Sequence, residues 1–406
     1  MLGTVPSPLT DVSWFDLPAV LRSGDHAGEL DRLRQEQPMW RSDVGLHVMS
    51  YDGCLDLLRD ARFHQGAPGL LDDAGISDPV VRRQWLTALL GSQPADHDRL
   101  RRLVSPAFTP RAIASLRDYV VGRAGRAADR AVEHGRIEVM ADLAIDIPPA
   151  VFCRMIGAPE EDAGFIGRLS YEILQIFARD PELAPTIEAS THELMTYVQG
   201  FIDARRREPR EDDLISSLLR AEEDGERLTT DELMALAIEA LEASTDNTSS
   251  QLGLVLHTAA ERPDIWAELR RDASLIPAFV EEACRVAPRI VCNAKVSDDD
   301  LTHAGVEVPA GTPVWVTVPA ALRDPSAFPD PASFRLDRET KGQNLNYGYG
   351  THYCVGAHLA RLEMCGVVEA LTRRWRTIEP IGAPELDVNV GVVTVRSLEL
   401  AVEPAD

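Results

Sequence analysis

The chain has 406 residues, of which 45% are hydrophobic and 26% are charged, so it can bury a large core and disorder is not expected. A formal net charge of −24 opposes any broad attraction to nucleic acid or to an anionic membrane. The amino terminus lacks a basic segment followed by an apolar run, and no stretch of about eighteen apolar residues occurs. We therefore expect a cytoplasmic protein that does not span a membrane.

Helical periodicity dominates the chain, because apolar residues recur at spacings of three and four in eight segments. Strand-like patterns are short and few. Since there is no internal repeat, low-complexity tract or clean boundary, the sequence predicts one domain over residues 1–406, mainly α with a minor β portion. The helical segments are 113–134, 161–178, 186–206, 212–224, 230–260, 263–270, 275–286 and 356–376, and the strand-like segments are 46–50, 306–318 with a Pro-Ala-Gly turn, 390–395 and 397–402.

Two charged pairs have helical spacing. His97 and Arg101 are four residues apart, and Glu282 and Arg285 are three apart within "EEACR". Each pair would therefore share one face of a helix. Alone, either pair would be an ordinary solvated pair on a helix surface, so a functional role depends on a further motif elsewhere in the chain.

The six cysteines are irregularly spaced and include no CxxC pair, so a disulfide framework is not expected and most should be buried thiols. Cys354 differs from the others in its surroundings. It follows the glycine-rich stretch "NYGYGTHY" and precedes Gly356 and a helical segment. Unpaired N–H groups and the macrodipole at a helix N-terminus favour a thiolate, which would be a nucleophile or a metal ligand.

Three kinds of site are compatible with such a thiolate. A zinc site built from His352, Cys354 and His358 would lack the paired ligands of structural zinc sites. A cysteine nucleophile would need a histidine base and an orienting acid, which the sequence does not exclude. A thiolate bound to haem iron is the third possibility, and it is the one that accounts for the other motifs of the chain.

The stretch "NYGYGTHYCVG" resembles the haem-binding loop of cytochromes P450, with Tyr347 where a phenylalanine is usual. The resemblance extends upstream. Glu282 and Arg285 match the ExxR pair of that family, and "FPDPASFRLDR" supplies Phe334 and Arg338 as its partner segment. The match covers the chain from about residue 30 to the end, and its ordered set of motifs is far more specific than any one of them.

The resemblance implies the P450 fold and haem b (iron protoporphyrin IX), with Cys354 as the iron ligand. Related sequences usually carry an arginine for a haem propionate in the strand after the ExxR helix. Here Cys292 and Asn293 stand near that place, and Arg289 is a possible substitute. The residues that the resemblance places at haem are His97, Arg101, His352, Cys354 and Gly356.

The central helix departs from the family pattern at "EALEASTDNTSS". Aligning Asp246 with the usual acid puts Ala243 and Ser244 at the usual pair of small residues. Asn247 then stands where a threonine hydroxyl is usual. A slip of one residue would make Thr248 the alcohol, but it would lose both the acid and the small pair.

Three acids, Glu239, Glu242 and Asp246, recur at helical spacing and would form one stripe. In the family this stripe faces the substrate, and relatives usually have aliphatic residues at the first two positions. The acids therefore imply a pocket for a cationic or amide-rich substrate, unless the helix is rotated and the stripe is solvated. The expected substrate contacts are Glu239, Glu242, Ala243, Ile290 and Val291, and the expected catalytic residues are Asp246 and Asn247.

The resemblance implies a monooxygenase or an oxidative-coupling enzyme acting with O₂ on a natural-product intermediate that carries an amine or peptide-like group. The chain has no flavin fingerprint and no iron–sulfur cysteine cluster, so electrons would come from an external ferredoxin and its reductase. Because Asn247 replaces the usual threonine, an alternative function stays open: a haem protein that uses peroxide or binds a gas without normal oxygen activation. The arginines expected to receive an acidic ferredoxin are Arg101, Arg102, Arg111, Arg361, Arg373 and Arg374.

Overall fold

The computed structural model describes residues 7–92, 94–211, 213–223, 225–339 and 342–405. It is 59% helical with 14% strand, which confirms the predicted mainly α fold with a minor β portion. Within the described residues, every helix is too short or too polar to cross a membrane.

Seventeen α-helices are present in the described part of the chain. They are α1 (Leu17–Leu21), α2 (His26–Glu36), α3 (Tyr51–Arg59), α4 (Ala67–Asp73), α5 (Pro79–Thr87), α6 (Pro94–Val104), α7 (Pro110–Ile113), α8 (Leu116–His134), α9 (Ile147–Ile156), α10 (Ala163–Leu174), α11 (Ala184–Arg207), α12 (Leu214–Arg220), α13 (Thr230–Ala260), α14 (Pro263–Arg271), α15 (Ile276–Val286), α16 (Val318–Ala321) and α17 (Ala357–Thr372).

The strands form one four-stranded sheet, one three-stranded sheet and three two-stranded sheets among the described residues. They are β1 (Met39–Ser42), β2 (Gly45–Val48), β3 (Arg136–Glu138), β4 (Glu222–Glu223), β5 (Glu226–Arg227), β6 (Cys292–Lys295), β7 (Leu301–His303), β8 (Val306–Val308), β9 (Val314–Thr317), β10 (Trp375–Pro380), β11 (Glu385–Val388), β12 (Val393–Ser397) and β13 (Glu399–Pro404).

The contacts divide the chain into two compact units, of which unit 1 comprises the described residues of 1–66, 281–354 and 388–393. Its sheet has the order β1-β2-β9-β6, with β2 and β9 parallel and the other neighbours antiparallel. Leu46 pairs with Val314 and Val48 pairs with Val316, and all four side chains are buried in the core of this unit. The expectation of a single domain stays a prediction.

Unit 2 comprises residues 67–280, 355–387 and 394–406, as far as they are described, and is built around α13. This helix packs against α5, α9, α10, α11 and α17. It begins with a capping box, in which Thr229 and Glu232 satisfy each other's backbone N–H groups. The apolar periodicity over 230–260 predicted both of its ends.

Two predicted helical segments end earlier than expected. The segment 356–376 is helical only to Thr372, because Trp375 begins strand β10 and pairs with Pro404. Of the segment 212–224, Leu214–Arg220 form α12, and Glu222–Glu223 pairs with Glu226–Arg227 as strands β4 and β5. In both places the strand depends on a partner that helical periodicity does not reveal.

Candidate functional site

Cys354 follows a tight turn that depends on glycine. Gly348 and Gly350 have φ values of 71° and 64°, in the left-handed region that side chains disfavour. A Cβ on Gly348 would lie 3.1 Å from the carbonyl oxygen of His352. The Cys354 N–H donates to the Tyr347 carbonyl at 2.8 Å and closes the turn. The backbone thus holds Cys354 at a fixed position three residues before α17 begins.

The thiol of Cys354 is exposed, whereas the other cysteines are buried or half-buried. Burial raises the pKa of the Cys153 and Cys292 thiols to about 12, so these groups stay protonated and inert at neutral pH. Desolvation likewise raises the pKa of Cys54. An accessible sulfur in a rigid loop near a helix N-terminus fits a ligand of haem iron.

Two asparagines fix the loop that carries Cys354 within unit 1. Asn344 donates from its side chain to the Glu281 carbonyl at 3.2 Å. Asn346 accepts the N–H of Ile290 at 3.1 Å through its side-chain oxygen. The hydroxyl of the buried Tyr347 lies 3.7 Å from the sulfur of Cys284 on α15. Sequence reasoning missed both asparagines, although their place just before the glycine turn is a typical signal of side-chain capping.

Glu282, Arg285 and Arg338 form one buried ionic network, with side-chain exposures of 4%, 2% and 7%. Both oxygens of Glu282 accept from Arg285, at 2.8 Å each, and Arg338 donates to the same carboxylate from Nε and Nη2 at 2.8–3.0 Å. The Arg335 N–H adds a third donor at 3.0 Å. The isolated surface pair that spacing alone would favour is therefore not what the structure shows.

The arginines of this network also fasten the surrounding loop. Arg285 donates to the carbonyls of Leu322 and Pro331 at 3.1 and 3.0 Å, and Arg338 donates to that of Pro329 at 2.6 Å. Burial raises the pKa of the Glu282 carboxyl, but the hydrogen bonds from both arginines outweigh it and hold that pKa below its ordinary value. The carboxylate is thus ionised, and its charge fixes the backbone of unit 1 near residues 322–338.

The segment after α15 differs from the expectation at one residue. Ile290 is half-buried, but Val291 is fully buried, with its N–H bonded to the Gly391 carbonyl at 2.9 Å. The side chain of Val291 therefore lies in the core and does not reach a ligand in this conformation. Arg289 is 3% exposed and donates to the Val393 carbonyl at 2.7 Å, which ties it to the neighbouring chain segment.

One face of α13 is open. Ala243 is exposed, and Ala240, Ser244 and Asn247 are half-buried, at the spacing of one helical stripe. Thr248 is 5% exposed and lies on a closed side. The side-chain N–H of Asn247 donates to the Ala243 carbonyl at 3.2 Å along this stripe. This burial pattern supports the alignment that puts Asn247, rather than Thr248, at the position of the usual threonine.

The acids of α13 lie at the border of this open face. Asp246 is half-buried, whereas Glu242 is only 6% exposed and, within the described residues, makes no hydrogen bond or ion pair. Burial, with a smaller effect of the neighbouring Glu239, raises the pKa of Glu242 well above its ordinary value. Burial therefore favours the neutral form of this carboxyl in the absence of a cation.

Glu239 is already engaged by the protein itself. Its two oxygens accept the N–H groups of Leu89 and Leu90 at 2.6 and 2.7 Å. The enclosure of the carboxylate raises its pKa to about 7, and the two N–H donors oppose that rise. The predicted direct contact of Glu239 with a substrate thus competes with an existing pair of hydrogen bonds.

The expected propionate partners of unit 2 lie on α6. His97 is 1% exposed, with Nδ1 3.3 Å from Asp98 Oδ1, and Arg101 is half-buried one turn further on. Gly356 is the residue before α17, and His352 in unit 1 is half-buried. A cavity of about 520 Å³ opens at the end of α6, lined by Asp98, Arg101, Arg102, Ser105, Pro106 and Thr109.

A buried acid on α17 escaped sequence reasoning. Glu363 is 1% exposed, and among the described residues neither of its oxygens has a hydrogen-bond partner. Burial raises its pKa well above the ordinary value and so favours the neutral carboxylic acid. A signal was present, because Glu363 interrupts the apolar face formed by Leu359, Val367 and their neighbours.

Among the described residues, the side chains expected around the Cys354 loop do not form a metal cluster of their own. No cluster of three or more His, Cys, Asp or Glu side chains that could hold a metal ion exists in the described part of the chain, so a zinc site of His352, Cys354 and His358 is not formed there. Taken separately, the exposed Cys354 sulfur of unit 1 is the type of group that ligates haem iron, and His97 and Arg101 on α6 of unit 2 are the types of side chain that bind carboxylates.

The family model for cytochrome P450 matches residues 170–395. The chain is 32% identical over 372 residues to luteothin monooxygenase of Streptomyces thioluteus, covering 90% of this chain and 91% of the relative. It is 33% identical over 387 residues to mycinamicin IV hydroxylase/epoxidase of Micromonospora griseorubida, covering 93% and 95%.

The structure is also similar to cytochrome P450 CYP109Q5 from Chondromyces apiculatus, with a TM-score of 0.86 and 29% identity over 97% of this chain and 99% of that one. The predicted P450 fold is therefore confirmed. The family binds haem b through a thiolate, and its members oxidise small molecules with O₂ and electrons from redox partners. The chain belongs to the cytochrome P450 family and is a haem-dependent monooxygenase.

Proposed function

We propose that this P450 oxidises a natural-product intermediate by hydroxylation or by oxidative C–C or C–O coupling, and that its substrate carries an amine or peptide-like group. The observation that carries the proposal is the buried Glu242 next to the exposed Ala243 on α13. A buried acid without a partner is costly unless a ligand supplies one. The similarity to a mycinamicin hydroxylase/epoxidase supports a biosynthetic role.

Cys354 is proposed as the only protein ligand of the iron, with His97, Arg101 and His352 at the propionates and Gly356 leaving room at the helix start. Bound haem supplies oxygen activation, and a thiolate ligand favours cleavage of the O–O bond. The role of the chain is to hold that sulfur. The glycine turn and the buried Glu282 network both fix the loop geometry within unit 1.

Asp246 and Asn247 are proposed to manage the protons that this chemistry requires. The amide of Asn247 donates a hydrogen bond but does not readily release a proton. Protons would then come through water next to Asp246, which is half-buried beside the open face, or from a polar group of the substrate. Efficient use of electrons therefore depends on the right substrate.

Glu242, rather than Glu239, is the acid available to a substrate. A protonated amine that approaches the Glu242 carboxyl would lower its pKa and form an ion pair, whereas a neutral ligand would meet an uncharged carboxyl that can only exchange hydrogen bonds with it. Ile290 and Ala243 are the apolar contacts proposed beside it. Glu239 keeps its bonds to the backbone of Leu89 and Leu90.

We propose an external ferredoxin and ferredoxin reductase as the electron source, and the cytoplasm as the location. In the structure, Arg373 pairs with Glu369, and Arg374 pairs with Asp129 at 2.7 Å, so these two arginines are partly neutralised. The arginines proposed for the docking surface are Arg101, Arg102 and Arg111 on α6 and α7, Arg361 on α17, and Arg373 and Arg374 directly after α17.

The experiment is a reconstitution of the haem-loaded protein with a surrogate ferredoxin and reductase, using N,N-dimethyldodecylamine as the probe. We expect electron-dependent formation of oxidised amine that stops when either redox protein is omitted. A second candidate, a haem protein that uses peroxide, is favoured only by Asn247. It would be supported by product formation with hydrogen peroxide and by none with the ferredoxin pair.

A further inference from the structure

Helix α5 is held at its start by a carboxylate of α11. One oxygen of Glu188, Oε1, accepts the N–H groups of Ser77 and Asp78, both at 2.8 Å. The side chain of Asp78 in turn caps α5 and lies 3.1 Å from Nε2 of His192, one turn along α11 from Glu188. The start of α5 is therefore fixed to α11 by contacts at the protein surface.

The end of α5 is held in the same way by a carboxylate of α13. The two oxygens of Glu239 accept the N–H groups of Leu89 and Leu90, at 2.6 and 2.7 Å. Within α5, Gln84 is 7% exposed and donates to the Ala235 carbonyl of α13 at 3.3 Å. Glu188 on α11 and Glu239 on α13 thus each accept two consecutive backbone N–H groups, Glu188 before the start of α5 and Glu239 after its end.

These contacts place α5 next to the open face of α13. At about 100° per residue, Glu239 is only about 40° around the helix from the exposed Ala243. Trp85 of α5 also meets Phe177, which follows α10, with ring centroids 6.2 Å apart in an edge-on arrangement. The helix therefore bridges α13 and the region between α10 and α11, and it borders the stripe that the proposed function assigns to the substrate.

We propose that Glu188 and Glu239 are positioning residues that hold α5 beside the open face of α13 and thereby control how fast ligands reach that face. The ligand site rests on the proposed function, but the two carboxylate contacts do not. A released α5 would widen the access to this open stripe without altering the stripe itself. Ligand association and dissociation would then both accelerate, with a smaller change in affinity.

The two contacts differ in a way that makes them separable. Glu188 uses one oxygen for both N–H groups, so a glutamine can present its carbonyl oxygen there and keep the contact. Glu239 uses one oxygen for each N–H group, so a glutamine would turn an NH₂ donor toward one of them. Glutamine should therefore be tolerated at 188 and not at 239, whereas leucine should fail at both.

The first measurement is amide hydrogen exchange at residues 77–78 and 89–90. Glu239→Gln and Glu239→Leu should each accelerate exchange at Leu89 and Leu90 by about tenfold or more. Glu188→Leu should do so at Ser77 and Asp78, and Glu188→Gln should have little effect. The matched control is Glu193→Leu on α11, because Glu193 bonds Arg168 at 3.2 Å at the surface and touches no backbone N–H of this segment.

The second measurement is stopped-flow binding of 4-phenylimidazole to the haem-loaded variants. Glu239→Gln and Glu188→Leu should raise both rate constants severalfold, and Glu188→Gln and Glu193→Leu should match the wild type. Unchanged exchange at residues 89–90 in Glu239→Gln would overturn the carboxylate contact. Faster exchange with unchanged binding rates would overturn the control of ligand access while leaving the proposed reaction intact.

Discussion

The most demanding prediction concerns the buried charge of Glu282. Replacing it by glutamine keeps the size of the side chain but removes the charge that compensates Arg285 and Arg338. The new NH₂ group would also face guanidinium donors at the 2.8–3.0 Å distances that the carboxylate now occupies. The substitution should therefore destabilise unit 1 through unpaired buried cations rather than through lost packing.

The magnitude follows from the burial of the network. Breaking a buried ion pair on one side costs about 3–5 kcal/mol, whereas an exposed pair contributes about 0–1 kcal/mol. In a protein of this size each kcal/mol corresponds to roughly 2 °C in melting temperature, so we expect a decrease of about 6–10 °C. The matched control is Glu29→Gln, because Glu29 pairs with Arg32 at 3.1 Å at the same i, i+3 spacing but on the surface.

The assay is thermal unfolding of both variants, followed by circular dichroism in the same buffer at neutral pH. Lowering the pH gives a second check, because the depressed pKa of Glu282 stabilises the fold above the ordinary carboxyl pKa, and this stability is lost as the pH falls through the folded value. If Glu282→Gln melts within 2 °C of Glu29→Gln, the charge of Glu282 does not stabilise the fold by compensating Arg285 and Arg338.

Three further outcomes follow from the buried acids and the altered relay. Replacing Glu363 by Met should raise the free energy of unfolding by about 1–3 kcal/mol at pH 8 and by less at pH 5, as denaturant melts at both pH values would measure. Because burial raises the pKa of Glu363, keeping this carboxyl in the core costs more stability as the pH rises above the ordinary carboxyl pKa, and Met removes that cost. Glu242→Gln should weaken the binding of N,N-dimethyldodecylamine by at least tenfold in spectral titrations. The affinity for the neutral N,N-dimethyldodecanamide should change by no more than about twofold. Asp246→Asn should slow turnover, and Asn247→Thr should lower the peroxide released per electron pair with a poorly fitting substrate, as product and peroxide assays would show.

Much of the helical architecture follows from the sequence, because a long amphipathic helix carries its own signals. The capping box at Thr229 and Glu232, and the periodicity over 230–260, define α13 without knowledge of its neighbours. Strand β6 gave only a weak signal, because Asn293, Ala294 and Lys295 are residue types that strands disfavour and the strand exists through its pairing with β9. Local pattern therefore predicts long helices better than short strands.

The site was predictable where side chains match a motif and not where backbone groups act. Cys354, Glu282 and Arg285 were found because their order along the chain resembles one family. The partners of Glu239 are N–H groups about 150 residues away in the sequence, and a backbone N–H leaves no trace in the residue type. The burial of Val291 likewise depends on a distant segment, to which its N–H bonds at the Gly391 carbonyl, so it became visible only in the structure.

The central claim is that Cys354 provides the thiolate for haem iron, and the reduced carbonyl spectrum tests it most directly. The measurement compares the wild type with Cys354→Ser and Cys354→His, and uses Cys365→Ser as the control for a thiol that is not a ligand. The account predicts that the thiolate-type Soret band is present in the wild type and the control and absent in both Cys354 variants. Survival of that band in Cys354→Ser would contradict the assignment and would require another sulfur ligand.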